Sequence, residues 1–188
     1  MHYTKRFTSK PSNIFLLLLT IIFLLSSASI SKASNYPNHL NGDPNWVLVN
    51  AHQGVAWYMD KSSVAVQKYA PPNYQIAVNV MRVSFTTNGF DLDLLYSPTI
   101  YETKTHYYYY NWDNKRMYRL GSDNQWHYMP PVGDYASTSS VIEGELTFYT
   151  AYHMKFYGGR QYKYTSTSGS YSYSEAVPDE AYLLIDAY

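Results

Sequence analysis

Tyr107-Tyr108-Tyr109-Tyr110, followed by Trp112, is the densest group of chemically capable side chains in a chain where 23 of 188 residues are tyrosine. Rings with a hydroxyl at the rim give adaptable contact area, suited to sugars, peptides or protein partners. The same residue type is also an amphipathic strand former on a half-exposed sheet. So many tyrosines exceed what one core can bury, so one face of their strand must be covered and the other left at a surface. Tyr107, Tyr108, Tyr109, Tyr110 and Trp112 are therefore the candidate binding residues.

Reactive constellations are weaker. No nucleophile elbow G-x-S-x-G occurs, and neither does a phosphate loop or a dinucleotide fingerprint, so no cofactor is expected. His39, His52, His106, His127 and His153 form no His-x-x-x-His pair and no histidine–carboxylate motif at ligand spacing; a metal site would have to be assembled from distant residues. Asp91 and Asp93 share one side of an extended segment and could hold a cation weakly, although a polar loop accounts for them. Paired acids for glycoside cleavage must face each other about 5 to 9 Å apart. Glu143 and Glu145, at i,i+2, point to different sides of a helix, and capping and solvation account for both. Catalytic residues: none; metal ligands: none.

These groups must be positioned by short strands. Residues 46–51 and 55–59, joined by His52-Gln53-Gly54, read as a hairpin. Asp60-Lys61-Ser62-Ser63 turns the chain as an Asx-turn, and Pro71-Pro72-Asn73 ends the short extended piece that follows. Residues 74–85 alternate, with Ile76, Val78, Val80 and Arg82 opposite Ala77, Asn79, Met81 and Val83. Residues 86–98 read as a long loop with a short helical turn. Residues 99–112 are a strand with Tyr107 and Tyr109 on one face and His106, Tyr108 and Tyr110 on the other. Turns at Asp113-Asn114 and at residues 121–124 complete a meander through residues 115–120 and 125–129.

Apolar residues at helical spacing predict a helix over 141–157, started by Ser139 or Ser140 with Glu143 as a capping box and stopped by Gly158-Gly159. Gly144 within it costs about 1 kcal/mol against alanine. Residues 160–174, rich in Tyr, Ser and Thr, are a final strand or an exposed loop. Residues 181–185 form a terminal strand or, with Pro178-Asp179-Glu180 before them, a short helix.

The N-terminus carries Lys5, Arg6 and Lys10 and then an apolar run over residues 14–25, broken by Ser26-Ser27-Ala28-Ser29. A membrane-spanning helix needs about 20 apolar residues. Ser31-Lys32-Ala33 supplies small residues at a cleavage site, so residues 1–33 read as a secretory signal peptide of the general route; an uncleaved anchor is the alternative. Residues 34–45 form a flexible lead, and residues 46–188 a single α+β domain.

Cleavage removes four cations and no acid, leaving ten Lys and Arg against 14 Asp and Glu, a net charge of −4. With no basic cluster, nucleic acid and anionic membrane are not expected partners. There is no cysteine, hence no disulfide, thiolate metal site or lipid-modified cysteine. The expected localisation is exported, periplasmic or extracellular, and not lipid-anchored. No N-glycosylation sequon occurs.

The segments AWYMDKSSV, YAPPNYQIAVNVMRV and YTAYHMKFYGG resemble a group of uncharacterised exported proteins of anaerobic diderm bacteria. The hairpin leading to YMDKSS is similar, more weakly, to the surface-adhesin E-like domain. That resemblance implies an antiparallel sheet packed on a C-terminal helix, and binding of host proteins. This chain lacks the cysteines that many such domains carry.

The expected architecture is α+β: an antiparallel β-sheet, a meander of about five to seven strands, packed against one C-terminal helix. The expected role is a non-enzymatic binding or structural module of the cell envelope, with a protein or glycan surface as partner; the resemblance implies an adhesin-like one. An envelope hydrolase acting on glycan or peptide is the alternative from another class, and an assembly subunit a third.

Overall fold

A computed structural model describes residues 36–88, 91–133, 138–165 and 168–187; the expected signal peptide lies outside them. Six strands run β1 (Trp46–His52), β2 (Val55–Ala70), β3 (Asn73–Asn88), β4 (Asp91–Asn111), β5 (Arg116–Leu120) and β6 (Trp126–Met129). They form one antiparallel sheet in chain order, curled into a half-barrel. Helix α1 (Thr138–Tyr152) follows, then a separate two-stranded hairpin, β7 (Gln161–Thr165) with β8 (Tyr171–Glu175), and the terminal helix α2 (Asp179–Asp186). The α+β meander is thus the architecture expected from the sequence, with a second helix at the C-terminus. Among the described residues no helix is long and apolar enough to cross a membrane.

Turn chemistry fixes the register. Gln53 and Gly54 both take positive φ, 50° and 79°, the conformation of a two-residue hairpin turn whose twist matches the strands. Asp60 does make its Asx contacts, accepting from Ser62 N at 2.9 Å, but the chain is not reversed there. The pairing with β3 shifts between Asp60 and Ala65, and Ser63 Oγ accepts from Asn79 N at 2.8 Å in place of a ladder partner. The expected turn is a bulge within β2. Residues 86–98, expected as a loop, belong to the β3–β4 ribbon, with Thr87 opposite Leu95 and Asn88 opposite Asp91. The polar residues that suggested a loop flank the tip of a long hairpin.

Alternation gives the sheet two faces. On the inner face Val47, Met59, Ile76, Val78, Tyr108, Tyr110 and Met117 meet Val141, Leu146 and Phe148 of α1 in the main core. On the outer face of β1–β3, Ala56, Tyr58, Val83 and Phe85 form a smaller core with Leu40. The segment expected as a flexible lead makes that cover. From residue 36 on it is a packed strap: Tyr36 stands edge-on to Phe85 at 5.5 Å and its hydroxyl accepts from Gly54 N at 2.7 Å, while Tyr58 OH donates to Pro37 O at 2.9 Å.

Helix α1 ends at Tyr152, five residues before the expected stop; His153, at φ 50°, turns the chain out of the helix. The cause is Glu145, fully buried, whose carboxylate accepts from Phe156 N and Tyr157 N at 2.7 Å each, from Gly158 N at 3.3 Å and from Tyr182 OH at 2.7 Å. Had the helix run on, those three N–H groups would be spent on helical carbonyls. Burial pushes the Glu145 carboxyl above its ordinary 4.5, and the four donors pull it back part of the way.

Candidate functional site

The five candidate binding residues are divided by the pleat. Tyr108 and Tyr110 are fully buried on the inner face, where Tyr108 OH donates to Glu143 Oε1 at 2.8 Å and Tyr110 OH to the Gly144 carbonyl at 2.7 Å. They are core, not contact surface, and that part of the expectation is corrected. α1 lies over the even-numbered residues, and burial holds both hydroxyls neutral, with pKa well above 10. Trp112 is partly buried, stacked on Phe148 at 5.7 Å, and belongs to the rim of the same core.

Tyr107 and Tyr109 point outward. Tyr109 lies opposite Tyr118 of β5, and Tyr118 opposite Tyr128 of β6, so three rings cross three strands in one row. Their centroids are 5.6 Å apart at each step, and Trp126 flanks the row 5.9 Å from Tyr109. Tyr109 OH is fixed on Asn73 Oδ1 at 2.6 Å. Tyr107, Trp126 and Tyr128 remain 40%, 39% and 46% exposed. Tyr118, Trp126 and Tyr128 were missed from sequence because β5 and β6 are short and only the register of the meander aligns them with Tyr109.

A second feature opens on the inner face past α1. A cleft of about 630 Å³ is lined by Lys104, His106, Arg119, His127, Ser140 and neighbouring residues, and adjoins a smaller cavity of about 140 Å³ reached by Arg82 and Glu102. Its wall is a hydrogen-bonded chain. Arg119 NH1 donates to Ser140 Oγ at 2.9 Å and NH2 to His106 Nε2 at 2.8 Å. With Nε2 accepting, the proton of a neutral His106 sits on Nδ1, which donates to Glu143 Oε1 at 2.5 Å. Glu143 is only 3% exposed, behind His106. Capping and solvation were the expected roles of Glu143 and Glu145. Both are instead buried acceptors on opposite sides of one helix: Glu143 meets the sheet, and Glu145 meets the returning chain.

His127 was not recognised as paired, yet its Nε2 lies 2.9 Å from Asp123, four residues earlier across the β5–β6 turn. Among the described residues no group of three or more His, Cys, Asp or Glu is placed to hold a metal ion. The side chains of Asp91 and Asp93 are not among those described. Comparison with known proteins found nothing: no family model, no curated protein and no solved structure matches the chain.

Proposed function

We propose that the chain is an exported, non-enzymatic binding module of the cell envelope, periplasmic or extracellular, and that the outer face of β4–β6 holds a glycan chain. The observation that carries this reading is the row Tyr109–Tyr118–Tyr128 with Trp126 beside it. Successive rings at 5.6 Å match the length of a pyranose unit, so consecutive sugar faces can lie on consecutive rings. Tyrosine hydroxyls at the rims, and Arg116 over the Tyr128 ring at 5.6 Å, offer hydrogen bonds to sugar hydroxyls. Rings held on strands are rigid, which lowers the ordering cost of binding.

The hydrolase alternative needs two acids facing a substrate. Among the described residues the ionisable groups lining the cleft are bases, and Glu143 is shut behind His106, so the observations favour binding over cleavage. The adhesin-like reading implied by sequence resemblance puts a host protein in place of the glycan. The test is titration of residues 34–188 with soluble glucan and chitin oligosaccharides and peptidoglycan fragments, followed by tryptophan fluorescence, with mass spectrometry for turnover. Saturable binding that is lost in Trp126→Ala and Tyr128→Ala, with no product, is the expected result. Product formation sinks the non-enzymatic reading. Binding only to extracellular-matrix proteins, by the same residues, replaces the glycan with a protein.

A further inference from the structure

We propose that the open end of the inner face is a second binding site, for an oxyanion carried on a small molecule: a phosphate, sulfate or carboxylate group on a body the size of a monosaccharide. The site lies on the opposite side of the sheet from the aromatic row and does not depend on it.

Strand register brings the bases together. Arg119 of β5 lies opposite Tyr108 of β4 and His127 of β6, while Lys104 and His106 occupy the preceding inward positions of β4. All four line the 630 Å³ cleft, and among the described residues no carboxylate does. The acids that pair with these bases stand outside the lining: Glu102 on Lys104 at 2.8 Å, Asp123 on His127, and Glu143 behind His106.

Arg119 is the centre of the argument. Its hydrogen-bond partners, Ser140 Oγ and the His106 ring, are not carboxylates, and its Nε is buried without a hydrogen-bond partner. Among the described residues no carboxylate comes within ion-pair distance of this guanidinium. A half-buried arginine with no carboxylate partner keeps its charge, and the second hydrogens of its two terminal nitrogens, for another partner. Through His106 and Ser140 it is fixed before any ligand arrives.

The remaining lining gives the size and shape of the ligand. A volume of about 630 Å³ lies within the range of small-molecule sites, far larger than one oxyanion needs. Met129, buried on the inner face, supplies apolar wall for the rest of the molecule. Lys104, whose charge reaches solvent, would draw the anion in and is shared with the smaller cavity.

The experiment is isothermal titration of residues 34–188 with inorganic phosphate, sulfate, glucose 6-phosphate, glucuronate and glucose. The expected result is saturable binding of glucose 6-phosphate or glucuronate, weaker binding of the free ions and none of glucose, with affinity falling as salt rises from about 0.05 to about 0.5 M. Arg119→Gln should weaken binding at least about tenfold, and Lys104→Gln about threefold. Phosphate sugars binding better than glucuronate assigns a tetrahedral oxyanion, and the reverse order a carboxylate. Equal binding of glucose and glucose 6-phosphate, or no binding by any anion, overturns the proposal. So does binding that Arg119→Gln leaves unchanged in a folded protein. Should Arg119→Gln fail to fold, Lys104→Gln decides: its side chain is largely exposed, so unchanged affinity there, or affinity indifferent to salt, also overturns the site. Tyr128→Ala, on the other face, should leave anion binding intact.

Discussion

The two faces of β4 carry nearly the same chemistry and meet opposite fates. Tyr108 and Tyr110 are sealed beneath α1 with both hydroxyls satisfied, whereas Tyr107 and Tyr109, one residue away, stand on a face that the described residues do not cover. Composition therefore does not decide the role of a tyrosine in this protein; the cover does. The cover is fastened by buried carboxylates and hydroxyls, whereas on the uncovered face the rings of Tyr107, Trp126 and Tyr128 stay partly exposed. Substitutions on the covered side should move stability, and those on the bare side should move binding.

The largest effect is expected from Glu145→Ala, which leaves three buried N–H groups and Tyr182 OH without their acceptor. A loss of about 3–5 kcal/mol in urea denaturation is expected, and a clearly smaller loss for Glu145→Gln, which keeps an acceptor in place. Leu40→Ala, in the strap itself, should cost about 2–3 kcal/mol; a change below about 0.5 kcal/mol would mean that the strap is not part of the folded unit. Gly144→Ala tests the cover from the other side. An added Cβ meets Met117 Sδ and comes within 2.8 Å of Tyr108, so about 1–3 kcal/mol should be lost, the opposite of what helix propensity alone gives.

Lys115 lies at the edge between the two faces, its Nζ 2.8 Å from the Trp112 ring centre and shut from solvent. Burial lowers its pKa from 10.5 to about 8. Across that window the unfolded chain holds a proton that the folded chain has released, so stability rises with pH. The melting temperature should climb from about pH 7 to about pH 9.5, and the climb should flatten in Lys115→Met. Above pH 10 the buried tyrosines, neutral when folded, reverse the slope. Smallest of all, Tyr128→Ala on the bare face should change stability by no more than about 0.5 kcal/mol while abolishing glycan binding. A large loss of stability there would erase the contrast between the faces.

Much of the sheet was legible because alternation and turn residues are local signals. The odd–even division of residues 99–112 followed directly, and so did the two hairpins after it, at Asp113-Asn114 and at residues 121–124. Which of the two tyrosine faces α1 covers did not follow, because both are aromatic and the choice rests on contacts between residues more than thirty apart in sequence, such as Tyr108 OH to Glu143 at a separation of 35. The i,i+2 spacing of Glu143 and Glu145 correctly put them on different sides of the helix, but solvation was inferred from charge alone, and both sides are covered. Gly158-Gly159 was a sound stop signal overruled by a tertiary acceptor. Within residues 86–98, the turn-type residues at both ends and Leu92, Leu94 and Leu95 between them masked the strand pairing of Thr87 with Leu95. The basic cleft gave no signal because Lys104, His106, Arg119 and His127 come from three strands and gather only through register.

The meander also bears on the order in which the molecule assembles. Every strand of the main sheet pairs with its neighbour in the chain, so the sheet can zip hairpin by hairpin with short loops to close at each step. The last fastening is of another kind: Lys61 Nζ donates to Ile185 O at 3.2 Å, across 124 residues. A chain released residue by residue from its N-terminus would raise the whole sheet before α1 covers its inner face, and α2 would arrive last to complete that cover. Trimming α2 should therefore slow or abort the final step while leaving early strand formation intact, a separation that pulsed hydrogen exchange during refolding would resolve.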